Sequence, residues 1–382
     1  MLAAMSEILS AADQRRYSRH LKLAEIGTEG QLRLKAARVA LIGAGGIGSP
    51  AALYLAAAGV GTLGLVDFDV VDESNLQRQV LFDTASVGAS KAEAGRARLA
   101  ALNPAIRVVA HAIELRAANV REIFDQYDLI IDGSDRLGTR YLVNDACVLY
   151  RKPLVSAAIH RFEGQITSYV PDRGPCYRCL FPNTAEGMVP NCADAGVLGV
   201  LPGVLGTLAA TEAIKLIAGI GTPLIGRLLA YDALEMQFSE FRFPRRADCA
   251  VCGKHPTISA PTDPVGFCSL DELRQVRPVT PAQLASSLAA RSIVLVDVRE
   301  PAEFAVGHLP QAINVPLGQV ESELQRGSRV LPRDRTLVFL CRSGARSLKA
   351  CAFARRLGYE NILQLEGGLL AFRDEVDPSL PL

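Results

Sequence analysis

Four glycines in six residues, Gly43-Ala-Gly45-Gly46-Ile-Gly48, follow the apolar stretch Arg38–Ile42 (RVALI) directly. The stretch predicts a buried strand, the glycines a tight turn, and the small residues over Ile47–Ala58 a helix. A second strand is expected over Leu63–Asp67, ending in an acidic residue nineteen positions beyond Gly48. Glycines at this spacing let backbone amides approach phosphate oxygens, and the helix N-terminus favours their charge. The acidic residue can take ribose hydroxyls. Taken alone, the pattern predicts a nucleotide, with NAD its ordinary occupant.

Further strand-like runs at 106–110, 128–132 and 154–158 alternate with helical stretches rich in Ala, Leu and Arg. Such alternation predicts a mostly parallel sheet covered on both faces. Residues 10–24 read as one amphipathic helix, and Gly203–Ile217 as a small-residue helix in the core or at a dimer interface. The character changes after Cys252: residues 253–281 hold five prolines and little periodicity, as a linker would. A second α/β pattern follows, with a helix over 281–290, strands over 293–297 and 336–340, and a helix over 345–357. The expected division is a first domain over 1–254, a linker over 255–279 and a second domain over 280–382.

Lys plus Arg total 41 against 40 Asp plus Glu, so no excess positive field exists to drive binding to nucleic acid or a membrane surface. No run offers about 20 uninterrupted apolar residues, which argues against a membrane span. The first residues lack the basic start and apolar core of a secretory signal. Four of the nine cysteines form two C-x-x-C pairs, and with no signal peptide that predicts metal and thiol chemistry in the cytoplasm.

Downstream of the glycine loop lie Asp67-Phe-Asp69-Val-Val-Asp-Glu-Ser74-Asn75-Leu-Gln-Arg78-Gln79, then Gly88-Ala-Ser-Lys91 and Gly133-Ser-Asp135. With the loop, this series resembles the ubiquitin-activating-enzyme superfamily, specifically the bacterial-type molybdopterin-synthase and thiamine-pathway adenylyltransferases, over residues 10–252. The resemblance implies that a carrier protein's terminal carboxylate attacks the α-phosphate of ATP. Both reactants are anionic, so their repulsion must be neutralised. It implies Lys91 and Arg78 on the phosphates, Asn75 on the nucleotide and Asp135 on Mg²⁺. Arg19 matches an arginine that reaches the partner subunit's ATP, which implies a homodimer. One departure stands out: the family often has Asp-Asn where this chain has Asp135-Arg136.

Cys176-Tyr-Arg-Cys179 and Cys249-Ala-Val-Cys252 offer four thiolates in two turns, able to close on one tetrahedral Zn²⁺. Spacing alone leaves a redox-active pair as an alternative. The resemblance implies a structural zinc. Cys192, after the polar loop Phe181–Asn191, matches a segment that bears a functional cysteine in the family. It is either a thiol that attacks or resolves an acyl or disulfide intermediate, or a small buried residue heading an apolar helix. Cys147, Cys268 and Cys351 lack a motif and are expected to be core or incidental thiols.

In the second domain, Leu295-Val-Asp297-Val-Arg299, Gly307-His308 and above all Cys341-Arg342-Ser-Gly-Ala-Arg346-Ser347 resemble a rhodanese. A strand delivers the cysteine into a tight loop that enters a helix, so successive amides point at sulfur and Arg342 and Arg346 add charge. Such a cradle stabilises a persulfide. The loop from Cys341 to Arg346 has six residues, the rhodanese length; the related phosphatases have one more. Asp297, Arg299 and His308 are expected to be scaffold. Gly367-Gly368 is internal, so the chain is not itself a carrier ending in Gly-Gly.

Together these readings predict an α/β fold: a Rossmann-like, mostly parallel sheet domain with zinc knuckles, plus a small α/β rhodanese domain. The expected reaction adenylates a ubiquitin-fold sulfur carrier ending in Gly-Gly, releasing pyrophosphate, and then transfers sulfur from the Cys341 persulfide to form a thiocarboxylate. A cysteine desulfurase or thiosulfate would supply the sulfur. Molybdenum-cofactor, thiamine, tRNA-thiolation, siderophore and cysteine pathways all use this chemistry. The alternatives are a sulfur-relay scaffold without adenylation and an NAD-dependent oxidoreductase.

Overall fold

The computed structural model describes residues 8–182, 196–263, 276–288, 293–327 and 330–382. The chain divides into two compact units with the boundary near residue 264.

In the first unit, strands β1 (Arg38–Ile42), β2 (Thr62–Val66), β3 (Arg107–His111), β4 (Leu129–Asp132), β5 (Leu154–His160), β6 (Glu163–Tyr169), β7 (Arg227–Asp232) and β8 (Gln237–Arg242) form one sheet. Their order is β3-β2-β1-β4-β5-β6-β7-β8. The first five run parallel; β6, β7 and β8 each run antiparallel to the strand before. The central strands are buried along almost their whole length, which is why they read as continuous apolar runs and not as alternation. The helix Leu201–Ala218 lies against the helix Gly48–Ala58 and against β5 and β6. Among the described residues it alone is long and apolar enough to cross a membrane, yet half of it is buried within the fold.

Two departures from expectation appear here. The single helix expected over 10–24 is two, Ala11–Arg16 and Ser18–Leu21. The break falls at Tyr17, whose buried ring fills the space beside Gly59 and whose hydroxyl accepts a 2.9 Å bond from Asn103 Nδ2. Tertiary packing of one aromatic residue overrides helical periodicity. Farther along the chain, the stretch expected as linker contains a strand, β9 (Arg277–Val279).

The second unit is a parallel sheet of β9, β10 (Ile293–Asp297), β11 (Ile313–Asn314), β12 (Thr336–Leu340) and β13 (Ile362–Leu365), in the order β11-β10-β12-β13-β9. The helix expected over 281–290 spans Pro281–Ser287, started by a capping box between Thr280 and Gln283. The helix expected over 345–357 spans Ala345–Arg356. Strand β12 is central, so its last residue delivers Cys341 into the middle of the sheet's carboxyl edge.

Candidate functional sites

The chain leaves β1 outward to β2 and β3, then returns across to β4. Adjacent strands β1 and β4 therefore open a crevice at their carboxyl ends, where open α/β sheets bind ligands. Because the strands are parallel, the glycine loop after β1, Asp67 after β2 and Gly133–Asp135 after β4 all emerge at that edge. Gly43 takes φ +88°. Its amide donates to Val66 O at 2.9 Å, while Gly133 N donates to Ile42 O at 3.1 Å. A Cβ on Gly48 would lie 1.9 Å from Gly43 O, so only glycine lets the helix Gly48–Ala58 begin this close under the loop. A Cβ on Gly46 would press on Pro202 at 3.0 Å. Gly45 faces open space apart from Gln79.

The Asp67 carboxylate holds the loop. Its Oδ2 accepts from Ala44 N at 2.8 Å and its Oδ1 from Asp69 N at 2.9 Å. Burial pushes its pKa up, against the pull of Lys91 and these two amides. Lys91 opens the helix Lys91–Leu102; its buried ammonium lies 3.2 Å from Asp69 Oδ2. Asn75 Oδ1 accepts from Asp72 N at 3.4 Å and Arg78 Nη1 donates to Ser74 O at 3.1 Å, so both sit in the connection between β2 and that helix. Asp135 is exposed just past β4. Arg19 is also exposed, on the helix Ser18–Leu21. The departure at Arg136 has a structural context: its guanidinium lies 4.9 Å over the Phe68 ring and 3.3 Å from the buried Glu114 carboxylate. It thus ties together the segments that follow β2, β3 and β4.

Two residues not singled out from the sequence belong to this crevice. Asp132, at the tip of β4, is fully buried; its Oδ1 takes the amide and hydroxyl of Ser134 at 3.0 and 2.7 Å, while its Oδ2 has no partner among the described residues. Gln79, next to Gly45, has a buried Oε1 without a partner among the described residues. Orphaned buried acceptors are uncommon and mark a place for a donor from outside the chain. Gln79 stood in the motif itself, whereas Asp132 resembled an ordinary strand end.

The four cysteines of the C-x-x-C pairs meet. Their Sγ atoms all lie within 4.8 Å of one another and every one is buried. Cys176 and Cys249 are 3.6 Å apart, Cys179 and Cys252 3.4 Å. A tetrahedron of sulfurs around Zn²⁺ has edges of about 3.8 Å, from Zn–S bonds of about 2.3 Å. These distances fit it, and the set of four leaves no open position. Topology explains the meeting: β6 and β8 both run antiparallel to β7, so the two knuckles leave the sheet at the same end. That end is opposite the glycine loop. Inside the first knuckle, Arg178 makes two 2.7 Å bonds to the fully buried Asp145, and Tyr177 N donates to Asn144 Oδ1 at 2.8 Å. Cys192 and Cys268 lie outside the described residues. Cys147 and Cys351 are buried in helices, and burial raises the Cys147 thiol well above its ordinary value.

In the second unit, Cys341 is wholly buried at the end of β12. Its Sγ accepts from Gly344 N at 3.2 Å and Ser347 N at 3.4 Å, with Ser347 Oγ at 3.6 Å. Gly344 takes φ +95° to aim its amide inward. The Gly367-Gly368 pair supports the cradle from below: Leu369 N donates to Cys341 O at 2.8 Å, and a Cβ on Gly368 would lie 2.5 Å from that oxygen. Gln364 Nε2 donates to Ser347 Oγ at 3.3 Å. Asp297 and Arg299 form a buried ion pair at 2.7 Å, and Arg299 also donates to Gly307 O. The two arginines expected to lend charge to the cradle, Arg342 and Arg346, stand in different surroundings. Arg342 is exposed, but Arg346 is held by Glu303 through bonds of 2.6 and 2.8 Å, which offsets its charge.

The ThiF family model matches residues 17–251 and the rhodanese-like domain model residues 280–375. A "Probable adenylyltransferase/sulfurtransferase MoeZ" of Mycobacterium tuberculosis is 45% identical over 97% of this chain and 96% of its own length. An "Adenylyltransferase and sulfurtransferase MOCS3" of Drosophila ananassae is 42% identical over 98% of this chain and 86% of its own. Among solved structures, Escherichia coli MccB with ATP is similar at a TM-score of 0.56 and 26% identity, over 62% of this chain and 73% of that one.

Proposed function

The chain belongs to the ThiF family and carries a C-terminal rhodanese-like domain, and from that premise we propose how its residues divide one reaction sequence. It is an adenylyltransferase and a sulfurtransferase acting on a ubiquitin-like sulfur carrier. The observation that carries this is the pairing, in one polypeptide, of a glycine-loop crevice at the sheet's switch point with a buried cysteine in an amide cradle.

In the first step, a carboxylate oxygen of the carrier's terminal glycine attacks the α-phosphorus of ATP, and the bond to the bridging oxygen breaks as pyrophosphate leaves. The glycine-loop amides and the helix N-terminus over Gly43–Gly48 receive phosphate, with Asp67 fixing the loop. Lys91 and Arg78 neutralise charge, Asn75 holds the nucleotide, and Asp135 would hold Mg²⁺. Arg19 completes the site from a second subunit of a homodimer. In the second step, the outer sulfur of a Cys341 persulfide attacks the acyl carbon and AMP departs. A thiol then attacks the inner sulfur of the resulting acyl-disulfide and frees the thiocarboxylate; Cys192 is a candidate for that thiol. Cys176, Cys179, Cys249 and Cys252 would hold a structural Zn²⁺. The protein is placed in the cytoplasm, serving molybdenum-cofactor, thiamine or a related thiolation pathway.

ATP–pyrophosphate exchange with a panel of Gly-Gly-ended carriers tests the first step. Carrier-dependent exchange abolished by Asp135→Ala is expected. No exchange with any carrier would leave only a rhodanese on a nucleotide-binding scaffold.

A further inference from the structure

The persulfide cradle must be loaded by a sulfur donor, and the charges around it discriminate among donors. The Cys341 loop contributes two guanidiniums. Arg342 is exposed. Arg346 is clamped by both oxygens of Glu303, with side-chain exposures of 29% and 33%. The other arginine beside the cradle, Arg299, is fully buried and already paired with Asp297. Of these three guanidiniums, those of Arg299 and Arg346 are therefore paired within the fold, and that of Arg342 faces water, where its field is screened. A small dianion gains little from such a mouth and also meets the negative charge of Glu303.

Resting on the reading of this unit as a sulfurtransferase, we propose that Glu303 is a specificity-determining residue that disfavours small dianionic donors and reserves Cys341 for alkyl persulfides. With thiosulfate, the Cys341 thiolate attacks the outer sulfur, the S–S bond to the sulfonate breaks and sulfite leaves with the electron pair, so two negative charges must approach and a dianion must depart. With a persulfide R–S–SH, the same thiolate attacks the outer sulfur, RS⁻ leaves, and Cys341–S–SH results. That donor brings at most one charge to the cradle, and the two backbone amides already present answer it. Among the described residues no hydrogen bond joins the helix Pro301–Val306, which bears Glu303, to Cys341 Sγ, whose partners are Gly344 and Ser347, so the effect is electrostatic and acts through Arg346.

The test is steady-state sulfur transfer to cyanide by the full chain, with thiosulfate, cysteine persulfide and a cysteine desulfurase carrying a protein persulfide as three donors. The readout is the ratio of kcat/KM for thiosulfate to that for each persulfide. Glu303→Gln should raise the ratio roughly 5- to 10-fold, chiefly through a lower KM for thiosulfate, and added salt should erase part of the gain. Glu303→Asp keeps the charge and should stay near wild type, which separates a charge effect from loosened packing. An unchanged or lower ratio in Glu303→Gln overturns the proposal, as does an equal rise in Glu303→Asp. The two persulfide arms distinguish a free from a protein-borne source. Wild type inert with all three donors would instead overturn the sulfurtransferase reading itself.

Discussion

Gly48 and Gly368 meet one constraint in two units: each lets a helix start against a loop proposed to hold an anion. A Cβ would lie 1.9 Å from Gly43 O at the first and 2.5 Å from Cys341 O at the second. Gly368 also takes φ +67°, so alanine there is strained twice over. Gly48→Ala should cost about 2–4 kcal/mol in denaturant unfolding and eliminate nucleotide-dependent exchange, while Gly368→Ala should depress sulfur transfer more than exchange. The glycines of the first loop were legible as a spacing. The role of Gly368 was not, because it depends on what the fold brings over it. The Glu303–Arg346 pair was illegible for the same reason, its partners lying 43 residues apart. That pair makes a prediction in pH. Its hydrogen bonds from Arg346, outweighing partial burial, hold Glu303 below its ordinary 4.5. A carboxylate depressed in the native state adds stability above its unfolded pKa and loses it as pH falls through the native value. Denaturant unfolding of wild type and Glu303→Gln should therefore differ by a constant amount, at most about 1 kcal/mol for a pair this exposed, near neutral pH. The difference should shrink as the pH is lowered below 4.5; a gap that widened in acid would contradict the assignment.

Among elements, those that read correctly are the buried parallel strands, whose burial on both faces leaves a continuous apolar run. Strand β9 escaped notice because it is three residues long and contains Pro278. Proline is excluded from central strands but tolerated at an edge, and among the described strands β9 pairs only with β13. The four clustered cysteines were legible as zinc-ligand types, yet only the antiparallel turns of β6, β7 and β8 explain why pairs about seventy residues apart converge. Their position at the end of the sheet away from the glycine loop separates structure from catalysis. Cys249→Ser should release the metal, read by elemental analysis, and lower the first unit's Tm by roughly 5–10 °C. Exchange activity measured well below that Tm should survive, since the cysteine pairs leave the sheet at the end opposite the glycine loop. Loss of exchange at a temperature where the variant is folded would show that the metal acts on the nucleotide site.

For the whole molecule, the proposed sequence needs the persulfide of one unit to consume the adenylate of the other, and covalent linkage changes that step from bimolecular to intramolecular. Tethering two reacting modules in one chain sets an effective concentration that reaches about the millimolar range for short tethers. Full-length Cys341→Ala keeps every adenylation residue and lacks the sulfur nucleophile; full-length Asp135→Ala keeps the cradle and lacks the proposed metal ligand. Each alone should form no thiocarboxylate, although Cys341→Ala should still exchange pyrophosphate at the wild-type rate. Mixed, they should restore thiocarboxylate formation at a rate that rises with protein concentration, whereas the wild-type rate per chain should not. Mass spectrometry of the carrier's C-terminus gives the readout. Equal concentration dependence in wild type and mixture would mean that the two units exchange partners freely, so that fusion supplies co-expression and no kinetic advantage. A wild-type rate that stays flat while the mixture climbs would assign the sulfur step to residues joined by one chain or one dimer, and would make the segment between the units part of the catalytic design.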